Sequence, residues 1–355
     1  MKSLFLFLSL SLYLLNMHAT VRTVSNYPST LAQFNTIQAA VDASSDGDTI
    51  YIHGSPVTYA GFTITQKRLT ILGPGWAPEK SFLPFKATVQ QMSTEGLNCA
   101  GTEIQGLEIT GSVSINTAAQ NLRFIRNHFK GGIHLGQYLG TYKGYVFEGN
   151  WFDNAYFSGS GYTTYENILF KNNIFYMSYA SNSIYGFTNS INVIFDHNLW
   201  YGTAATPYNC FNGDCRTLTI TNNIFVNRDA GNNNSYSTFN NNITYNGGTN
   251  NPWAVNNNTD AGGNLANQDP QMVNQDSVNA GRNNPLLNFT IAAGPANNSG
   301  TDGKDMGLLF DGTGSLNWTN SRLSRLPFIY SMSIANPTIA AGGTLNISVE
   351  ARKSN

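Results

Sequence analysis

The sequence predicts an all-β solenoid of short coils stacked along one axis. Three observations carry the prediction. Five eight-residue segments share one pattern: LRFIRNHF from Leu122, YVFEGNWF from Tyr145, ILFKNNIF from Ile168, VIFDHNLW from Val193 and LTITNNIF from Leu218. Their shared asparagines, Asn127, Asn150, Asn173, Asn198 and Asn223, recur every 23–25 residues. That period is too short for a propeller blade and lacks the leucine framework of a leucine-rich repeat. Apolar residues stand five and three positions before each asparagine, the two-residue period of a strand with one buried face. They are Leu122, Tyr145, Ile168, Val193 and Leu218, then Phe124, Phe147, Phe170, Phe195 and Ile220. A further column, Phe129, Phe152, Phe175, Trp200 and Phe225, follows each asparagine by two. Asparagine suits the bend because it tolerates left-handed backbone and its amide can bond along a stack.

The remaining elements follow in chain order. Lys2 and the apolar stretch Leu4 to Leu15 read as a signal peptide over residues 1–19, too short for a membrane span. The mature chain is expected to be secreted, periplasmic or on the cell surface, monomeric and without stable membrane insertion. Phe34 to Val41 predicts a short helix, with Ile37, Ala40 and Val41 at helical spacing to plug the end of the core. Asp46-Gly47-Asp48 turns into the strand Thr49 to Ile52, and Phe62 to Ile64, Leu69 to Ile71 and Leu107 to Ile109 read as early coils. Trp76 to Gln91 reads as a loop thrown out between coils, and Gly231 to Gly300, dense in Asn and Gly, as later, less regular coils. A weaker repeat continues at Asn242, and about ten coils are expected in all. The solenoid occupies residues 20–313. A tail over 314–355 carries strands at Phe328 to Ile334 and Leu345 to Val349.

Composition limits function. Charged residues are 11% of the 355 and the net charge is −1, so no basic excess exists to neutralise nucleic-acid phosphates. Aromatics at 12% supply a core. Export permits disulfides, and Cys210 and Cys215 flank a short loop they would staple, leaving Cys99 as a buried apolar residue; three free thiols are the alternative.

The repeat and the opening helix resemble the right-handed parallel β-helix of the pectin-lyase-like superfamily, over roughly residues 34 to 310. The resemblance implies a single-stranded right-handed β-helix and makes polysaccharide the expected partner. Val193 to His197 is similar to the Trp-Ile-Asp-His strand of pectate lyases, with Ile194 and Phe195 in place of Trp and Ile. Arg325-Leu326-Pro327 begins an Arg-x-Pro-x-x-Arg segment that Tyr330 does not complete. Asn258-Thr259-Asp260 matches one polygalacturonase motif, without the family's other two.

One cluster offers chemistry. Glu148, Lys171 and Asp196 stand two before the repeat asparagine and should point outward, joined by Arg126 and His197 if the chain is already bending there. In a lyase, Lys171, His197 or Arg126 would take the proton α to a carboxyl group. Arg126, Lys171, or Ca²⁺ held by Glu148 and Asp196, would stabilise the enolate. Glu148 and Asp196, with Tyr176, Tyr179 and Tyr201 for sugar stacking, would bind substrate. The same charges also read as cross-strand ion pairs. Asp302, Asp305 and Asp311 are spaced densely enough to suggest Ca²⁺, but Asp-Gly turns explain them better. Two functions follow: an exported protein that binds and degrades an extracellular acidic polysaccharide, or a non-catalytic surface or adhesion protein using the solenoid as a rigid scaffold.

Overall fold

A computed structural model describes residues 19–75, 85–135, 139–178, 183–203, 208–284, 287–309, 328–334 and 347–352. The leader (1–18), Tyr179, Asp311 and Arg325 lie outside the described residues. Stacked parallel strands form three long sheets. The first runs from Val21–Val24 through the repeat strands to Thr259–Asp260. The second, of eight strands, and the third, of seven, complete the coils. The solenoid makes about eight turns rather than ten, because the second sheet ends at Ile243–Tyr245 and the chain leaves the stack soon afterwards. Thr88–Val89 is a strand of that second sheet, so the expected loop of 76–91 rejoins the stack before Gln91.

The repeat columns are the core. Register pairs Phe124 with Phe147, Phe147 with Phe170, and Phe170 with Phe195. Their rings stack at centroid separations of 5.0, 4.9 and 4.4 Å. In the second sheet Phe129, Phe152, Phe175 and Trp200 stack at 5.2, 4.7 and 3.8 Å. Stacking of this kind adds to area burial, and the parallel register enforces it.

Between the first two sheets the chain turns a corner at a residue with left-handed backbone: Arg126, Gly149, Asn172, His197, Asn222 and Asn241, with φ between 51° and 65°. Each repeat asparagine follows that residue, fully buried. Asn150 Nδ2 donates to Phe124 O in the preceding coil and to Asn173 Oδ1 in the next, at 2.9 and 3.0 Å. Asn173 Oδ1 also accepts from Asn150 N at 2.9 Å. The same set repeats from Asn127 to Asn242, and Asn264 extends it by one coil.

The helix Ile37–Ala43 starts at the N-cap Thr36, whose hydroxyl accepts from Ala39 N, and it buries Ile37, Ala40 and Val41. Gln38 bonds both Thr63 N and Thr63 O, on the terminal strand of the third sheet. In the tail, Phe328–Ile334 and Ile347–Arg352 pair antiparallel.

The stretch read as later coils over 231–300 continues the stack as far as Thr259–Asp260, as expected, but its end does something else. Residues 272–284 and 287–308 lie over the outer face of the second sheet. Met272, Val278, Leu287, Phe289, Ile291, Met306 and Leu308 there form a second apolar cluster with Trp151, Ile174, Tyr176, Leu199, Tyr201 and Ile224. This strap is pinned to the corner column, since Asn241 donates to Ser299 O, Asn222 accepts from Thr301 N, and Asn172 both accepts from Leu309 N and donates to its carbonyl.

Asn173→Ala strips buried Asn150 N of its partner and takes from Phe147 O its second donor, the strand bond from Lys171 N remaining. An orphaned buried group costs about 1–3 kcal/mol, so a loss of about 2 kcal/mol is expected in urea unfolding. That is smaller than the roughly 3–5 kcal/mol expected for Phe170→Ala. An unchanged midpoint for Asn173→Ala would mean the ladder contributes nothing.

Candidate functional site

Glu148, Lys171 and Asp196 are brought together as expected. They are consecutive Cα partners on the first sheet, all partly exposed, in line with Ile125 and Thr221. Lys171 Nζ stands 3.6 Å from Asp196 Oδ2, while Asp196 Oδ1 accepts from Asn222 Nδ2 at 2.9 Å. Arg126 sits at the corner one coil before Gly149. Burial lowers the pKa of its guanidinium and the Glu148 carboxylate opposes that shift. The row is thus an alternating-charge strand surface.

Three expectations for this row are corrected. His197 is 1% exposed, buried beneath the strap with Nδ1 3.1 Å from Gly307 O and Nε2 3.6 Å from Asp302 Oδ2, so no substrate reaches it as a base. Its left-handed backbone turns the side chain out of the corner, where the strap meets it. Tyr176 and Tyr201 are equally covered, donating to Gly281 O and Arg282 O, and have no face for a sugar. Glu148 and Asp196 are two coils apart with Lys171 between them, about 10 Å at parallel-strand spacing, too far to share a cation. Among the described residues no group of three or more metal-ligating side chains gathers. Asp302 and Asp305 accept from Lys304 N and Asn298 N as turn residues.

The expected Cys210–Cys215 bridge is not formed. Both are free thiols buried in the core, Cys210 against Arg228 and Cys215 donating to Asn212 O at 3.2 Å, and burial pushes the pKa of each up to about 12.

Sequence reading missed two arrangements. On the second sheet, ahead of the strap, His128 lies between Glu108 Oε2 (Nδ1, 3.0 Å) and Asp153 Oδ2 (Nε2, 3.2 Å). Lys86 Nζ reaches Glu108 Oε2 at 2.8 Å, and Asn283 of the strap donates to Asp153 Oδ1 at 2.7 Å. Burial alone would raise Glu108, but hydrogen bonds and charge from His128 and Lys86 outweigh it and hold its pKa down at about 2.

On the third sheet the outward column is Thr63, Ser93, Ser114, His134, Ser158, Tyr185 and Asn212, in continuous register. No buried member interrupts it. Tyr185, within the column, and Tyr156, beside it on the neighbouring coil, are 49% and 37% exposed. Each ring lies against a glycine in an adjacent coil. A Cβ on Gly132 would stand 2.7 Å from Tyr156 Cζ, and one on Gly213 would stand 2.8 Å from Tyr185 Cε2. Tyr156 also meets His134 edge-on at 5.8 Å. The result is a straight row of hydroxyls and imidazole with two aromatic platforms.

No family model matches the chain, and no curated protein matches it.

Two outcomes are expected. Replacing Asn172 and Asn222 together by Ala removes two of the side-chain pins of the strap and leaves those of Asn241 and His197. Amide hydrogen exchange across 299–309 should then quicken about tenfold or more, with the Phe ladder still protected; equal rates would mean that these two pins contribute nothing. For Glu108, a pKa near 2 lies below the ordinary carboxylate value of 4.5, so its stabilisation is complete above about pH 4.5 and lost as pH falls toward 2. Glu108→Gln should lower stability at pH 7 by up to about 3 kcal/mol and flatten its pH dependence over that acid range. Parallel acid-denaturation curves for parent and variant would refute the network.

Proposed function

We propose that this is an exported protein that binds an extracellular polysaccharide along the outer face of its third sheet. The observation that carries the reading is the exposed hydroxyl–imidazole column with Tyr156 and Tyr185 held against Gly132 and Gly213. Sugar rings present apolar faces for aromatic stacking and a rim of hydroxyls for short polar side chains. A column rising by about 4.8 Å per coil offers these groups repeatedly to an extended polymer. The column itself contains no Lys or Arg, so it suits a neutral chain better than the acidic one expected from the sequence. The leader Leu4 to Leu15 supports export. Stacked parallel coils, the asparagine ladder and the helix Ile37–Ala43 support membership of the pectin-lyase-like superfamily, with its right-handed coil.

Binding rather than cleavage is the reading favoured here. The lyase mechanism needed His197, Lys171 or Arg126 to take a proton. His197 is buried, Lys171 faces Asp196, and a guanidinium such as that of Arg126 stays protonated. Glu148 and Asp196 stand too far apart to hold the cation that would stabilise an enolate.

The test is retention of the purified chain on a panel of neutral and uronic polysaccharides, with and without chelator. A neutral polymer should be retained, and Tyr156→Ala and Tyr185→Ala should each weaken binding about tenfold, equivalent to about 1.4 kcal/mol. Failure to retain any polymer would leave the rigid scaffold as the function, whereas new unsaturated products would show a lyase.

A further inference from the structure

The third sheet ends at Phe211–Asn212, and the chain continues through Gly213, under the Tyr185 ring, to Asp214 and Arg216. There a depression of about 350 Å³ opens, lined by Asp214, Arg216, Ser235, Tyr236, Asn256 and Asn257 among others. Its volume falls within the roughly 300–1,000 Å³ of small-molecule sites.

Tyr236 is the informative residue. It occupies the corner that precedes the first sheet, which Asn121, Gly144, Asn167, Asn192 and Thr217 fill in earlier coils, all with positive φ. Gly and Asn adopt that backbone readily, whereas the β-branched Thr217 and the bulky aromatic Tyr236 take it at a cost in strain. Tyr236 takes it at φ 54° and is still 56% exposed. The strain therefore yields no core packing; it aims a ring into the depression. Arg216 lies over that ring, its Cζ 5.9 Å from the centroid, and is ion-paired with Asp214. Ser235 Oγ is buried there without a hydrogen-bond partner. Strain and an unpartnered hydroxyl converge where repeat chemistry is broken, as expected of a functional position.

We propose that this depression is a subsite for one neutral hexose unit, at the end of the polysaccharide bound along the third sheet. The inference rests on the proposed binding face, because the column runs into the depression through Gly213. Asp214 neutralises Arg216, so the lining carries no spare cation for a uronate. Tyr236 supplies a face for the sugar ring, and Ser235, Asn256 and Asn257 supply the groups for its hydroxyls.

Calorimetric titration with hexasaccharides of glucose, mannose and galacturonic acid tests it. At least one neutral hexasaccharide should bind the parent. Tyr236→Asn, which removes the ring but accepts the left-handed backbone, and Arg216→Gln should each weaken it about tenfold with melting temperature unchanged. If both variants bind like the parent while Tyr185→Ala weakens binding, the subsite is overturned and the binding face stands. If Tyr236→Asn weakens binding and Tyr185→Ala does not, the subsite stands and the binding face falls. Tighter binding of the galacturonate than of either neutral sugar overturns the neutral-hexose assignment, and silence from all three overturns both proposals.

Discussion

A chain that turns a sharp corner between two parallel sheets takes backbone groups out of strand pairing, and in a buried corner those groups must find other partners. Here a side chain from the next coil supplies them. Asn173 receives Asn150 N on its oxygen and gives a proton to Phe147 O from its nitrogen, and every coil from Asn127 to Asn264 repeats the exchange. Only a carboxamide offers both an acceptor and a two-proton donor at that reach. With the corner fixed in this way, the phenylalanine columns on either side are held in register. The outer faces then become straight columns on which charges, hydroxyls or a covering strap can be laid.

The solenoid was legible because its constraint repeats. Five asparagines in register with flanking apolar columns locate the corner, two sheets and the core. The sixth rung, Asn242, was visible, whereas Asn264 lies in a segment where Asn is too common to stand out. The strap was missed, yet its signature is present. Trp151-Phe152, Ile174-Phe175-Tyr176, Leu199-Trp200-Tyr201 and Ile224-Phe225-Val226 are apolar on both strand faces, and a sheet apolar on both faces needs two covers. The strap sequence itself has no period, because it packs as an extended segment on a ready-made surface. Tyr176, Tyr201 and His197 were misplaced for this one reason.

The binding face was hidden by drift. His134, Ser158, Tyr185 and Asn212 share a column, but they follow their repeat asparagines by seven, eight, twelve and fourteen residues. The connections between the second and third sheets are equal in the coils of Asn127 and Asn150 and longer in the next two, so alignment on the asparagine scatters this column while hydrogen bonding realigns it. The Glu148–Lys171–Asp196 row was legible as geometry, since it precedes the corner at constant spacing. Its chemistry was not, because which of its neighbours is exposed depends on a segment more than a hundred residues later.

The ladder also has a direction: each asparagine turns its side-chain oxygen to the coil before, and its backbone and amide nitrogens to the oxygen of the coil after. A whole coil copied in tandem would offer matching ends to both neighbours, so gene duplication can lengthen such a stack without inventing a new junction. The strap forbids this over its own span. Its contacts at Asn241, Asn222, His197 and Asn172 are spaced for successive coils, and an extra coil among them would leave the strap out of step. It acts as a ruler, fixing the number of coils there while the earlier part of the stack stays free to grow or shrink.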